Sequence, residues 1–347
     1  MTLGCGHPRA WIQSVGGTNP ITELAVSNVS YGRRLDELSD GRVVLGETQD
    51  AACLHVLASL TPFSHELAIW RDSEEVWVGP VTEPIYTLGG LTIPARDLFQ
   101  WFERRLLPFD RVFTEVDLSV IAAAYIDDAL SRDNTPAIAT DVNLCGITGT
   151  RSVSSTTFRR AADEIRELAR TGLDFTVVRR RVIFGGIEIA VPNLPTLTAD
   201  IFEVGEVRLA GLEMGNEITV FGSPPEGVTT PIYGQAGGVD VPLVQQTYNE
   251  PSILDLASAT SAAETRYALL RSAPLYVTGR LLESAPVSMA DLIPGAHARF
   301  VQQVGFRSFD ETMRLVAVDV DATASDDGET ETVRLTLQPL GAVEGGG

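Results

Sequence analysis

The sequence predicts a mainly β fold of the α+β class, and three observations carry that prediction. Short runs of alternating apolar and polar residues, bounded by Gly, Pro, Asn and Asp, fill both ends of the chain; this is the pattern of half-buried strands. Helical spacing is concentrated between residues 97 and 171. The first and last regions echo each other, each reading as strands, one helix, then more strands. The pattern changes near residue 98, and Pro192-Asn193-Leu194-Pro195 reads as a linker, so the chain divides into regions 1–98, 99–195 and 196–347.

In order, residues 1–20 read as an arm or first strand rich in Gly and Pro, and 24–31 and 42–45 as strands. Asp50 to Leu60 is an amphipathic helix stopped by Thr61-Pro62. His65–Arg71 and Val76–Val81 form a hairpin around a polar turn, Asp72-Ser73-Glu74-Glu75, with Trp70 and Trp77 expected to face each other across it. Leu91–Ala95 is a further strand. Helices are expected at Asp97–Leu107, Asp117–Arg132 and Thr157–Thr171. The last carries Arg159/Asp163 and Arg160/Glu164 at i,i+4 and ends at Gly172. Phe175–Val178 and Val182–Phe184 form a hairpin around Arg179-Arg180-Arg181. Beyond the linker lie strands near 200–212 and 217–222, a Pro/Gly-rich loop over 223–240, and a helix from Ser252 to Ser272. Strands near 275–283, 299–304, 313–321 and 332–338 follow, the last two joined by a turn at Asp326-Asp327-Gly328, and Gly345-Gly346-Gly347 is a frayed end.

With 347 residues, of which 44% are hydrophobic, the chain is long enough for two or three cores. Its net charge of −20 argues against binding DNA or an anionic membrane through the general surface. All 26 basic residues are arginines, the mark of a GC-rich coding bias; without lysine there is no Schiff base, P-loop or Ser-Lys dyad. Cys5, Cys53 and Cys145 form neither a zinc site nor a disulfide framework, although a single Cys5–Cys53 pair is conceivable. Cys53 shares an apolar helical stripe with Leu57 and Leu60. No apolar run approaches the ~18 residues of a membrane span, and Leu3-Gly4-Cys5 lacks the flanks of a lipoprotein signal, so a soluble, unprocessed chain is expected.

No catalytic, cofactor or metal site emerges. His65-Glu66 opens like a zinc helix, but position 69 is Ile. Asp319-Val320-Asp321 begins like a calcium loop, but position 324 is Ala where that loop needs Gly; both aspartates read as solvent-facing strand residues. His7, His55, His65 and His297 are scattered. Asp127-Asp128 and Glu74-Glu75 are acid pairs with no visible cleft. Arg179-Arg180-Arg181 reads as a solvated turn before it reads as an anion site.

Several local segments fall in a recognisable order. Val29-Ser30-Tyr31-Gly32-Arg33-Arg34-Leu35-Asp36 comes first. His65-Glu66-Leu67-Ala68-Ile69-Trp70-Arg71-Asp72 leads into Val76-Trp77-Val78-Gly79-Pro80-Val81, and Ala95-Arg96-Asp97 opens a helix. Asp291-Leu292-Ile293-Pro294-Gly295-Ala296, Arg314–Val318 and Val333–Leu337 close the series. Together they resemble siphophage minor tail proteins of the tail-tip, or baseplate-hub, family from phages of GC-rich hosts. The resemblance covers most of residues 1–107 and 250–340, and less of the middle.

It implies two small, helix-containing, tail-tube-like β-barrels, 1–98 and 196–347, flanking a peripheral α+β domain, 99–195. It further implies a homotrimeric, pseudo-sixfold ring in the virion that joins the tail tube to the tip. The implied partners are distal tail and tube proteins, the tape measure protein and other tail-tip proteins. DNA would pass through at ejection without specific binding, and this chain would insert in no membrane. No enzymatic activity and no cofactor are expected. Two other functions compete: a peripheral tail protein binding a host-surface polymer, and a tail-associated cell-wall hydrolase.

Overall fold

The computed structural model describes residues 3, 7–17, 19–45, 51–88, 90–187, 191–224, 230–238, 242–251, 253–271, 274–325 and 328–340. Two sheets dominate. The smaller is antiparallel in the order β2 (Pro20–Leu24), β1 (Pro8–Ser14), β5 (His65–Arg71), β6 (Glu74–Pro80). The larger has nine strands. Its path runs β14 (Phe202–Leu209), β18 (Leu275–Leu281), β21 (Gly328–Pro339), β20 (Arg307–Ser325), β3 (Val26–Arg34), β4 (Asp40–Leu45), β8 (Gly90–Arg96), β7 (Ile85–Thr87). Off that path, β19 (His297–Val304) pairs with β20.

The 19-residue β20 explains how distant parts of the chain share one sheet. One of its edges carries β21 from Met313 to Ser325. The other carries β19 along Arg307–Arg314 and then β3 along Ala317–Thr323. Strands from regions 1–98 and 196–347 are thus hydrogen-bonded neighbours, and one apolar core runs through both, from Ile12, Val43 and Trp77 to Val277, Phe300 and Leu335. This corrects the expectation of two separate barrels: among the described strands no sheet closes on itself.

The four-stranded sheet is a middle layer whose strands β5 and β6 are buried on both faces. Alternation along β5 and β6 sends Leu67, Ile69 and Trp77 towards the nine-stranded sheet. It sends Ala68 and Val78, with half-buried Trp70, towards the middle of the chain. Trp70 and Trp77 therefore do not meet. Ile69 stands opposite Trp77, and a bulge places Trp70 opposite Glu75. The turn is also tighter than expected, only Asp72-Ser73, with Asp72 at φ +57°; Glu74 and Glu75 belong to β6.

Against that second face pack a 3-10 helix (Leu98–Arg104), α2 (Leu118–Leu130), α3 (Ala161–Ala169) and the hairpin β12 (Phe175–Val178)–β13 (Arg181–Phe184). Asp117 caps α2 by accepting from the Ser119 N–H. The helix expected at Asp97–Leu107 is a 3-10 turn. The one expected at Thr157–Thr171 begins only at Ala161, so its i,i+4 pairs do not form; Arg159 instead meets Glu164 and Glu167 at 2.9 and 3.2 Å. Three further strands were not anticipated here: β9 (Arg111–Asp117), β10 (Ala139–Val142) and β11 (Thr148–Val153).

A last unit has its own core. β15 (Glu217–Gly222) lies between β16 (Ile232–Gly237) and β17 (Gln245–Glu250), and α4 (Leu256–Leu270) covers one face through Ala259, Ala262 and Ala263. The loop expected over 223–240 therefore contains a strand. An α1 helix (Ala51–Ala58) buries Cys53 and Leu57 in the large core beside Leu60, as the stripe predicts. Cys5, the turn residues Asp326 and Asp327, and the terminal glycines lie outside the described residues.

Candidate functional site

The residues singled out for chemistry are not assembled into a site. His7 precedes β1, His55 lies on α1, His65 opens β5 and His297 opens β19. The His65 Nδ1 takes the Thr61 N–H at 3.2 Å. Among the described residues no group of three His, Cys, Asp or Glu is placed to hold a metal. Asp128 is buried in a two-point contact with Arg111 at 2.8 and 2.6 Å, while Asp127 points to solvent. Asp319 pairs with Arg34 at 2.5 Å and Asp321 accepts from Asn28 at 2.8 Å, both on the strand face expected for them. The three consecutive arginines each meet an acid. Arg179 pairs with Glu74 at 2.7 Å, Arg180 with the fully buried Glu66, and Arg181 with Asp141 at 3.1 Å. They tie β13 and its turn to neighbouring elements.

What the fold does assemble is a buried polar seam, built from the segments whose order stood out in the sequence. Arg33, 1% exposed, donates from Nη1 to the carbonyls of Met289 and Leu292 at 2.7 and 2.9 Å, and from Nη2 to that of Val76 at 2.9 Å. One guanidinium thus fastens β3, β6 and the loop before Pro294-Gly295, and burial pushes its pKa down. Arg71 reaches across to Glu331 on β21 at 2.7 Å, both side chains largely buried. Arg314 on β20 meets Asp174 at 2.6 Å. Beside it Asp36 accepts the Phe175 N–H at 2.8 Å, its pKa held well above the usual range by burial and by Asp174.

Asp97 completes the seam. It takes the Ser39 N–H at 2.6 Å, the Ser39 hydroxyl at 2.7 Å and the Phe99 N–H at 3.0 Å, while Trp77 Nε1 donates to the same hydroxyl at 3.2 Å. Burial raises the Asp97 pKa to about 6 against those donors. Gly79 is needed because β6 crosses the end of β8 at van der Waals range. A Cβ there would stand 1.6 Å from the Arg96 carbonyl oxygen. Gly295, at φ +101°, turns the loop that Arg33 grips. Composition and spacing alone do not find this seam; its only sequence signal is that Arg33, Trp77, Gly79 and Asp97 all fall inside the recurring segments.

Beyond this bracing, the outer surfaces are the remaining functional candidates. The nine-stranded sheet ends in two edge strands, β14 and β7. β14 carries Glu203 and Glu206; β7 is exposed along its length, with Ile85 and Tyr86 about half exposed on it, and Leu88 follows in its turn. Leu212 and Phe306, the latter at the tip of the β19–β20 hairpin, also stand clear of the surface.

No protein-family model matches the chain, and no curated protein does. Solved structures do match along nearly its whole length. A tail protein from Neisseria meningitidis is 12% identical with a TM-score of 0.65, covering 96% of this chain and 97% of its own. A 43 kDa tail protein of a Shewanella oneidensis prophage is 12% identical with a TM-score of 0.62, covering 94% and 98%. An Escherichia coli component of the type VI secretion system, described as similar in structure to bacteriophage T4 tail proteins, is 11% identical with a TM-score of 0.52, covering 95% and 77%. At such identities the likeness is one of fold, and from end to end the fold of this chain is that of phage tail proteins.

Proposed function

We propose that the chain is a structural virion protein, a tail-tip hub whose three copies form a pseudo-sixfold ring between tail tube and tip. The observation that carries this reading is the joint sheet. Strands from both ends of the chain enter one open nine-stranded layer with a free strand at each side, and free sheet edges are surfaces that pair with other chains. The segments resembling tail-tip proteins supply the seam that braces this layer, and solved tail proteins share the fold over their full length. In this reading regions 1–98 and 196–347 contribute to the ring and 99–195 packs outside it. The neighbours are tube, tape measure and other tip proteins, DNA passes through without being held, and no reaction is catalysed.

A reconstruction of the virion tests it. Three copies at the junction of tube and tip are expected; six copies, one copy, or a position on side fibres would overturn the hub assignment.

A further inference from the structure

We propose that the outward face of the β15–β17 sheet is a platform for a neutral polysaccharide. This goes beyond the hub assignment and does not depend on it.

The face away from α4 presents three rows of side chains. Tyr233, Phe221 and Asn249 are in register across the strands, followed by Gln235, Thr219 and Thr247, then by Glu217 and Gln245. Ile218, Val220 and Tyr248 point the other way and pack with α4, so the unit's core does not use the outward rings. Phe221 is 36% and Tyr233 51% exposed, with ring centroids 5.9 Å apart. Two aromatic rings left in water beside five amide and hydroxyl side chains fit a sugar. The rings offer an apolar surface to its C–H face, and the amides and hydroxyls pair with its hydroxyl groups.

Charge selects the class of ligand. In a chain of net charge −20 the described rows of this face carry one carboxylate, Glu217, which accepts from Gln245, and no arginine. A polycation would find a single carboxylate in these rows, and a polyanion would find no arginine in them and would be repelled by the surrounding chain. The complementary ligand is uncharged. The platform is also not flat at its margin. At the edge of β16, where the sheet meets α4, Tyr233 and Gln235 also border a shallow groove with Pro231, Leu256 and Thr260. With strands about 4.8 Å apart, the three-strand face accommodates a short stretch of polymer.

The test is binding of the full chain to an array of neutral hexose, amino-sugar and uronic-acid glycans. Retention on neutral glycans is expected. Phe221→Ala with Tyr233→Ala should weaken it by roughly tenfold or more while leaving the melting temperature unchanged, because both rings are outside the core. Should that pair lower the melting temperature, Gln235→Ala with Asn249→Ala serves instead, with the same expected loss of binding. No retention on any neutral glycan, retention on uronic-acid glycans alone, or undiminished binding in the variants would overturn the proposal. Three copies at the tube–tip junction in a protein that binds no glycan would leave the hub standing and remove only the platform.

Discussion

At the scale of single residues, the seam makes two quantitative predictions. Trp77 is 3% exposed, fills the large core and donates to Ser39. Trp77→Ala should lower stability by about 3–5 kcal/mol, read as a fall in denaturation midpoint; an unchanged midpoint would place the ring outside the core. Asp97 links stability to pH. Its carboxyl titrates near 6 in the fold against 3.8 when unperturbed. Between those values the folded chain holds a proton that the unfolded chain has released, so stability falls as pH rises through that window, by at most about 3 kcal/mol. Asp97→Asn should flatten that part of the profile. Its amide nitrogen would oppose one of the three donors, so the variant should also be less stable throughout. Melting temperatures at pH 4 and 6.5 check it, and a slope equal to that of the parent would exclude Asp97 as its source. Trp77 was expected in the core, but neither Arg33 nor Asp97 was legible as a seam residue in the sequence. Arginine and aspartate are usually exposed, and only the three-dimensional supply of carbonyls and N–H groups shows why Arg33 and Asp97 are not.

At the scale of elements, strands and helices with strong local patterning were legible. The hairpin of β5 and β6, α2, β15 and α4 lie close to their predicted places. The missed strands lack a local signal. β17 is Gln-Gln-Thr-Tyr-Asn-Glu, polar on both faces, and turns its Glu250 inward only because Arg266 of α4 meets it at 2.5 Å. β16 reads as loop because of its glycines, yet Gly234 is required there. A Cβ would lie 2.2 Å from the α4 backbone at Ala259. Pairings between distant strands were invisible for the same reason: partners chosen in space leave no periodicity behind. The Arg71–Glu331 contact between β5 and β21 tests how far such pairings matter. Glu331→Ala removes the two-point carboxylate partner of a largely buried guanidinium that keeps the Leu3 carbonyl and, at 3.8 Å, Asp72, and should cost about 1–3 kcal/mol. The double variant Arg71→Met, Glu331→Ala should cost less than the sum of the two single variants. If the effects of Arg71→Met and Glu331→Ala simply add, the contact contributes nothing of its own.

At the scale of the whole molecule, charge is unevenly spread. Counted along the sequence, regions 1–98, 99–195 and 196–347 carry −6, −1 and −13, which sum to the −20 of the chain. Arginine-lined walls would hold DNA through its phosphates, so a conduit built from the outer regions should have more acids than arginines on its inner wall. Arg179, Arg180 and Arg181, already matched with Glu74, Glu66 and Asp141, should lie away from it. A trimer structure whose inner wall carries as many arginines as acids would refute this. The long β20 has a different bearing, on synthesis. The ribosome releases β3 long before β20: Asn28 and Thr323, joined by a hydrogen bond, are 295 residues apart. Closing so long a loop is slow, and until it closes the nascent chain exposes the edge of β3. Completion of the joint sheet therefore waits for β20, and a chain stopped before β20 lacks the very layer on which incorporation would depend.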